Sequence, residues 1–346
     1  MVTRSGLDSQ FGFAAETTWA TAVTPTKFLE FDDEDFALNS TWLENEGLAA
    51  GRVFKRVSRV GVSRYDVNGQ VTVKHSTKSM GLLWKHCIGS AITTPTQIAA
   101  TTAYKQIHTY SARVGLGLTC QFGRPEPGSG TVVPFTYAGC KVSSWEFSVS
   151  DGEAAKLVVN FDGKSETTAT ALASASYTAN QAIFTFKDAT NFKLGGTAST
   201  ASGETTIASG VAVAAIVNSF TIRGEIPLAG ERYGLGNAGL KAQQLENDYP
   251  TITGSFDAEF DNTNLYALYS GATTTALQLD LAQGDAGGSN PFLVSFICPA
   301  IKMKTAKPSV DGPGLVRMAS EFEAYDDGGG SNPTLQVKLV STDTTL

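Results

Sequence analysis

Residues 65–89 read YDVNGQVTVKHSTKSMGLLWKHCIG, and this stretch decides the fold because its pattern returns in the second half of the chain. Val67, Val71 and Val73 alternate with polar residues, the period of a half-buried strand, and Met80, Leu83, Trp84, Cys87 and Ile88 then fall at helical spacing. The spacing predicts a strand feeding a short amphipathic helix. Residues 252–271, ITGSFDAEFDNTNLYALYSG, repeat it: Phe256, Ala258 and Phe260 alternate, and Leu265, Leu268 and Tyr269 form the helical face. Gly254 stands 185 residues after Gly69 (254 − 69 = 185), and Leu268 stands the same distance after Leu83. The expectation is one fold written twice.

A chain of 346 residues exceeds the common domain size, so two domains with separate cores are the default. The composition is 42% hydrophobic and only 17% charged, with 35 Gly and many Thr and Ser, which favours strands joined by turns. The net charge of −7 and the lack of a basic run exclude the footprint of a protein that grips phosphates. Cys87, Cys120, Cys140 and Cys298 have no paired spacing and read as free core thiols. The first ten residues hold no apolar signal region and nowhere do 18 apolar residues run together, so a chain made in the cytoplasm and without a membrane span is expected.

Residues 3–27 are small and polar with Phe11, Phe13 and Trp19 interspersed, an arm that must dock on something. Phe28–Leu38 starts as a strand and shifts parity across Asp32-Asp33-Glu34-Asp35, as a bulge would. The insertion at 40–64, STWLENEGLAAGRVFKRVSRVGVSR, is long for a connection inside a compact domain. Later, Trp145, Phe147 and Val149 alternate with polar residues, Asp151-Gly152 supplies a turn, and Leu157, Val159 and Phe161 alternate back. Residues 165–177 have no period and mark the boundary, giving domains 1–165 and 178–346 with 166–177 as linker. In the second half, strands are expected at Ile183–Phe186 and Ser219–Ile226. The long insertion recurs as LAGERYGLGNAGLKAQQLENDY at 228–249, and strands follow at Leu277–Leu281, Phe292–Ile297, Val316–Tyr325 and Leu335–Val340. Asp311-Gly312 offers a turn comparable to Asp151-Gly152.

Converging chemistry is missing. Gly234 to Gly239 fits GxGxxG, but no buried strand runs into it, so a flexible loop is the reading. His75, His86 and His108 are scattered, and the acidic run at 32–35 lacks the spacing and turn glycine of a calcium loop, so it reads as a solvated strand edge. No catalytic, cofactor or metal residue is expected, and the chain is read as a structural protein and not an enzyme.

The opening SGLDSQFGFAAETTWATAVTPTKFLEFDDEDFAL (5–38) resembles the start of tail tube proteins, the major tail proteins of phages with long non-contractile tails. Phe11-Gly12, Glu16-Thr17-Thr18, Ala20 to Val23, Pro25-Thr26 and Phe28 to Phe31 carry the likeness, and Trp19-Ala20 departs where Gly-Thr is common. The resemblance implies the tube fold, a β-sandwich with a short flanking helix, and with the internal repeat the expectation is an all-β chain of two tandem tail-tube-type β-sandwich domains, each with a long stacking loop. It also implies rings stacked into a hollow tail tube in the virion, a conduit for DNA that binds none specifically, with tape measure and terminator proteins as further partners. The repeat adds an expectation of three chains in a pseudo-six-fold ring, against six chains with the second half hung outside. Lumen-facing acids are expected at Glu146, Asp162, Asp257, Glu259, Glu321 and Glu323. Ring-to-ring contacts are expected from Glu44, Glu46, Arg52, Lys55, Arg56 and Arg59 in the first long loop and Glu231, Arg232 and Lys241 in the second. The competing class is a monomeric or surface-displayed β-sandwich, such as a decoration or receptor-binding module.

Overall fold

The structure is a computed structural model that describes residues 5–44, 47–48, 50–89, 94–111, 115–213, 215–310 and 312–346. In the first half the elements are β1 (Gln10–Ala15), β2 (Lys27–Leu29), β3 (Asp33–Glu34), β4 (Ala37–Glu44), β5 (Val60–Lys74), α1 (Gly81–Ile88), β6 (Thr96–Gln97), β7 (Tyr104–Thr109), β8 (Leu118–Pro125), β9 (Val132–Ser150), β10 (Lys156–Gly163) and β11 (Ser165–Thr167). The second half holds β12 (Ala189–Leu194), β13 (Thr197–Ala201), β14 (Glu204–Ala208), β15 (Val211–Ala212), β16 (Val217–Glu225), β17 (Thr251–Glu259), α2 (Asn264–Ser270), β18 (Thr275–Gly287), β19 (Asn290–Ala306), β20 (Arg317–Ala324) and β21 (Gln336–Ser341). The chain is all-β, with two short flanking helices among the described residues, as the composition and periodicity predict.

The strand and helix at 65–89 form as read. Val67, Val71 and Val73 are buried on one face of β5, and α1 ends at Gly89, whose φ of 73° is the left-handed conformation that closes a helix without a Cβ penalty. The matched glycines have a shared physical cause. A Cβ at Gly69 would stand 2.4 Å from Phe36 Cα, and one at Gly254 would stand 2.3 Å from Phe322 Cζ, so each lets an aromatic residue cross the strand.

Strand pairing is written twice. In the inner layer the antiparallel order is β4, β5, β10, β9, then β16, β17, β20, β19, so one block of four strands is followed by a second with the same connections. The outer layer follows suit: β1 pairs β8, which pairs β9, while β12 pairs β18, which pairs β19. β9 serves both layers because it bends at Gly139, whose φ is 70°. Aromatic side chains fill each sandwich: Phe36 lies 4.8 Å from Phe122 and 5.3 Å from Phe161, and Phe192 lies 5.1 Å from Phe256.

The structure differs from the sequence expectation in three places. Instead of a separate core for each half, one large cluster of buried side chains spans both, with Phe296 of the second half 4.5 Å from Phe147 and 5.5 Å from Trp84 of the first, beside a small cluster of Ala103, Ala286 and Val340. Strand β7 of the first half pairs with β21 of the second, which interlocks them further. Residues 183–186 make only isolated bridges from Ser76 to Ile183 and from Ala154 to Thr185, because they cross the open end of a finished sheet. The first long insertion is shorter than read, since β4 runs on to Glu44 and β5 begins at Val60. Glu46 and Asp311 lie outside the described residues.

Candidate assembly interface

The six acidic candidates fall on one face of the inner sheet, opposite the buried Trp145, Phe147, Phe161, Phe256 and Phe322. The alternation of β9, β10, β17 and β20 puts them there. The face is not a plain negative wall, however. Asp257 pairs with Arg317 at 3.2 Å, Glu323 with Lys304 at 2.9 Å, and Glu146 stands directly across the ladder from Arg223. A hydrogen bond from Tyr325 Oη, with Lys304 beside it, holds the Glu323 carboxyl below its ordinary pKa. Glu259 stands at the end of β17, on the border of a pocket beside α2.

Asp162 is covered by the second long loop. Lys241, with 3% of its side chain exposed, reaches both Asp66 and Asp162, and Gln244 Nε2 donates to Asp162 O at 2.9 Å. Burial disfavours the Lys241 ammonium, but hydrogen bonds to Asp162 and Asp66 outweigh it and hold its pKa above the ordinary value. Burial pushes the Asp162 carboxyl up, with Lys241 opposing. Tyr65 N donates to Gly239 O at 2.9 Å, Tyr233 Oη donates to Tyr65 O at 3.0 Å, and Arg64 pairs with Glu231 at 2.5 Å. Arg232 turns back onto the Gln243 carbonyl. Of the three contact candidates in this loop, Glu231 and Lys241 therefore make their ion pairs inside the chain, to the other half of the molecule. Nothing in the loop's sequence announces Tyr233 or Gln244 as its anchors, since both act through backbone carbonyls that only the fold brings near.

The first long loop is the reverse case. Glu44 and Lys55 meet at 2.5 Å across the hairpin, while Arg52, Arg56 and Arg59 are exposed together with Leu48, Val53, Phe54 and Val57. Exposed apolar side chains in such a run, interleaved with cations, are the signature of a surface that meets a partner.

The acidic run at 32–35 is used inside the chain. Arg124 grips Glu34 with two hydrogen bonds of 2.8 and 2.7 Å, and Asp35 Oδ1 accepts from Gln70 N at 2.5 Å. All four cysteines are buried free thiols. Among the described residues no group of three or more His, Cys, Asp or Glu side chains could hold a metal ion, and no helix is long and apolar enough to cross a membrane.

Two edges of the inner sheet have no strand beside them in the described structure: the outer side of β3 and β4, and the end of β19 past its last partner on β18 at Ile301. A search of curated proteins finds no match to the chain. Residues 6–324 match the family model described as phage tail tube protein. With nearly the whole length matched, and with the arm, the all-β fold and the flanking helices in place, the chain belongs to the phage tail tube protein family.

Proposed function

We propose that three copies of this chain close a ring of six tube folds, and that rings stack into the hollow tail tube through which DNA leaves the virion. The observation that carries this reading is the join between β9 and β16, where Ser219 to Glu225 pair with Ser150 to Ser144. It links the end of one four-strand block to the start of the next. By the same correspondence, the Asp33–Asn39 edge of one copy would pair with residues 305–310 of its neighbour, and the ring closes after three such joins. In that register Ala37 would stand opposite Lys307 and Asp35 diagonally across from it on the same face, a placement that favours association.

The inner face would line the channel. Its ion-paired acids and few uncommitted cations would let DNA slide without adhering. The exposed first loop, with Arg52, Lys55, Arg56 and Arg59, would meet the next ring and set its register. A chain of this design works by self-assembly and has no catalytic role, with tape measure and terminator proteins bounding the tube. Negative-stain images of the purified chain at high concentration test the reading. Hollow tubes or stacked rings are expected; only discrete single particles would favour a decoration module.

A further inference from the structure

The strand register equates residues of the two folds one by one. Phe161 pairs with Gly69 on one side and Val142 on the other, and Phe322 pairs with Gly254 and Met303 in the same way. Val142 and Met303 are thus equivalent. The same bulge follows each, so that Ser144 pairs with Asn160 as Thr305 does with Glu321, and further on Ser148 meets Lys156 as Ser309 meets Arg317. Along this register Phe135 corresponds to Phe296, Phe147 to Pro308 and Val149 to Val310. In the helices, Trp84 stands five residues before the closing Gly89 (89 − 84 = 5) and Tyr266 five before Gly271 (271 − 266 = 5).

Equivalent residues have different surroundings. Where the folds meet inside the chain, Phe296 packs 4.5 Å from Phe147 and 5.5 Å from Trp84, and Val149 is buried as well. Their equivalents are uncovered: Phe135 is only half-buried, Pro308 is exposed, Val310 is 73% exposed and Tyr266 43%. Apolar side chains therefore stand in water at places whose equivalents are core. They also lie against the two edges that the ring would join. The Arg124 guanidinium sits 4.5 Å over the Phe135 ring and donates to Glu34 and to the Phe36 carbonyl, both on the Asp33–Asn39 edge. Lys307, on the 305–310 edge, lies 5.8 Å from the centre of the Tyr269 ring, which is 6.2 Å from that of Tyr266.

We propose that Tyr266 of one copy packs on Phe135 of the next, with Pro308 and Val310 covering the same patch, so that the contact of Trp84 and Phe147 with Phe296 is remade between chains. The occupant is a second copy because one chain carries both halves of the contact, each set behind one of the two edges that would pair. This rests on the ring of three chains. The change from Trp84 to Tyr266 suits a site that is wet in the free chain and covered in the ring, since tyrosine combines an apolar ring with a polar tip.

Amide exchange of the wild-type chain, free and in sedimented rings, tests the contact without any substitution. Protection should rise on assembly in α2 and around Phe135 and stay level in α1, which is covered already. Sedimentation of variants gives an independent reading. Tyr266→Ala and Val310→Asp should each raise the concentration needed for rings about tenfold, as loss of an anchor at the centre of an interface does, with melting temperatures that match the wild type. Tyr249→Ala, at an exposed tyrosine of the second long loop, should leave ring formation unchanged. Exchange in α2 that is the same in chain and ring, or Tyr266→Ala and Val310→Asp assembling at the wild-type concentration, would overturn this contact while leaving the ring intact. A wild-type chain that forms no rings or tubes at all would overturn the ring and the contact with it.

Discussion

The two long insertions leave the same place in the repeated fold, between β4 and β5 and between β16 and β17, yet they end in opposite states. The second lies down on the first fold and buries Lys241 between two carboxylates, whereas the first stands clear with Phe54 87% and Val53 91% exposed. The helices differ in the same direction. In α1 seven of eight residues are buried, in part beneath strands from the second half; in α2 only Leu265 is. In both comparisons the element of the first fold or the face it rests on is covered from the second half, whereas α2 keeps most of its residues unburied. The difference teaches that the molecule contains one complete fold-to-fold interface, and on the proposed ring its two open edges would be the separated halves of another.

The largest expected effect breaks that comparison at the helices. Trp84→Ala, which removes a fully buried ring touching Trp145 and Phe296, should lower the unfolding free energy of the isolated chain by about 3–5 kcal/mol in urea titrations. Tyr269→Ala on the half-exposed α2 should cost about 1 kcal/mol. Equal losses would mean that α2 is as enclosed as α1.

Next come the two loop lysines. Lys241→Ala leaves Asp66 and Asp162 without their cation and should cost about 3 kcal/mol, the penalty of a buried charge stripped of its partner. Lys55→Ala, at a site 49% exposed, should cost less than about 1 kcal/mol and act on assembly instead. A stability loss at Lys55 matching that at Lys241 would contradict the assignment of one loop to the chain and the other to a partner.

A third effect distinguishes the halves by acid. Burial lowers the pKa of His75 from 6.5 to about 3, and burial with Lys85 nearby does the same for His108. His75 accepts a 2.8 Å hydrogen bond from Trp84 Nε1, which requires an unprotonated Nε2. Both folded pKa values lie below the unfolded one, so the unfolded chain binds more protons between pH 6.5 and 3. Their stabilisation is full above pH 6.5 and is lost as the pH falls, at up to about 1.4 kcal/mol per pH unit for each histidine. Both of these histidines belong to the first half, so lowering the pH from 7 to 5 should speed amide exchange in β5, α1 and β7 more than in β17 and α2. The reverse order would contradict the sign or the placement.

Much of this fold was legible in the sequence because it rests on short-range alternation. The valines of β5, the hairpin of Phe147 and Leu157, and the glycines 69 and 254 each carry their own signal. The single core was not legible, since Phe296 reads the same whether it meets its own half or packs on Trp84 and Phe147. The acidic face was only half legible: parity placed Asp257 and Glu323 on the wet side, but not the partners Arg317 and Lys304 from neighbouring strands. The fate of Lys241 was hidden for a similar reason, because Asp66 and Asp162 are far away in sequence and carry no motif. Phe54 and Val57 in the first loop could have been flagged, as an apolar and basic run with no period that any core would use.

The central claim is that the chain carries two copies of the ring-forming unit, and a reconstruction of the assembled tube viewed along its axis tests it most directly. The account predicts three chains per ring, both inner blocks facing the channel, and the Asp33–Asn39 edge of each chain beside residues 305–310 of the next. Six chains per ring, with residues 1–165 alone lining the channel and the second half outside, would contradict it.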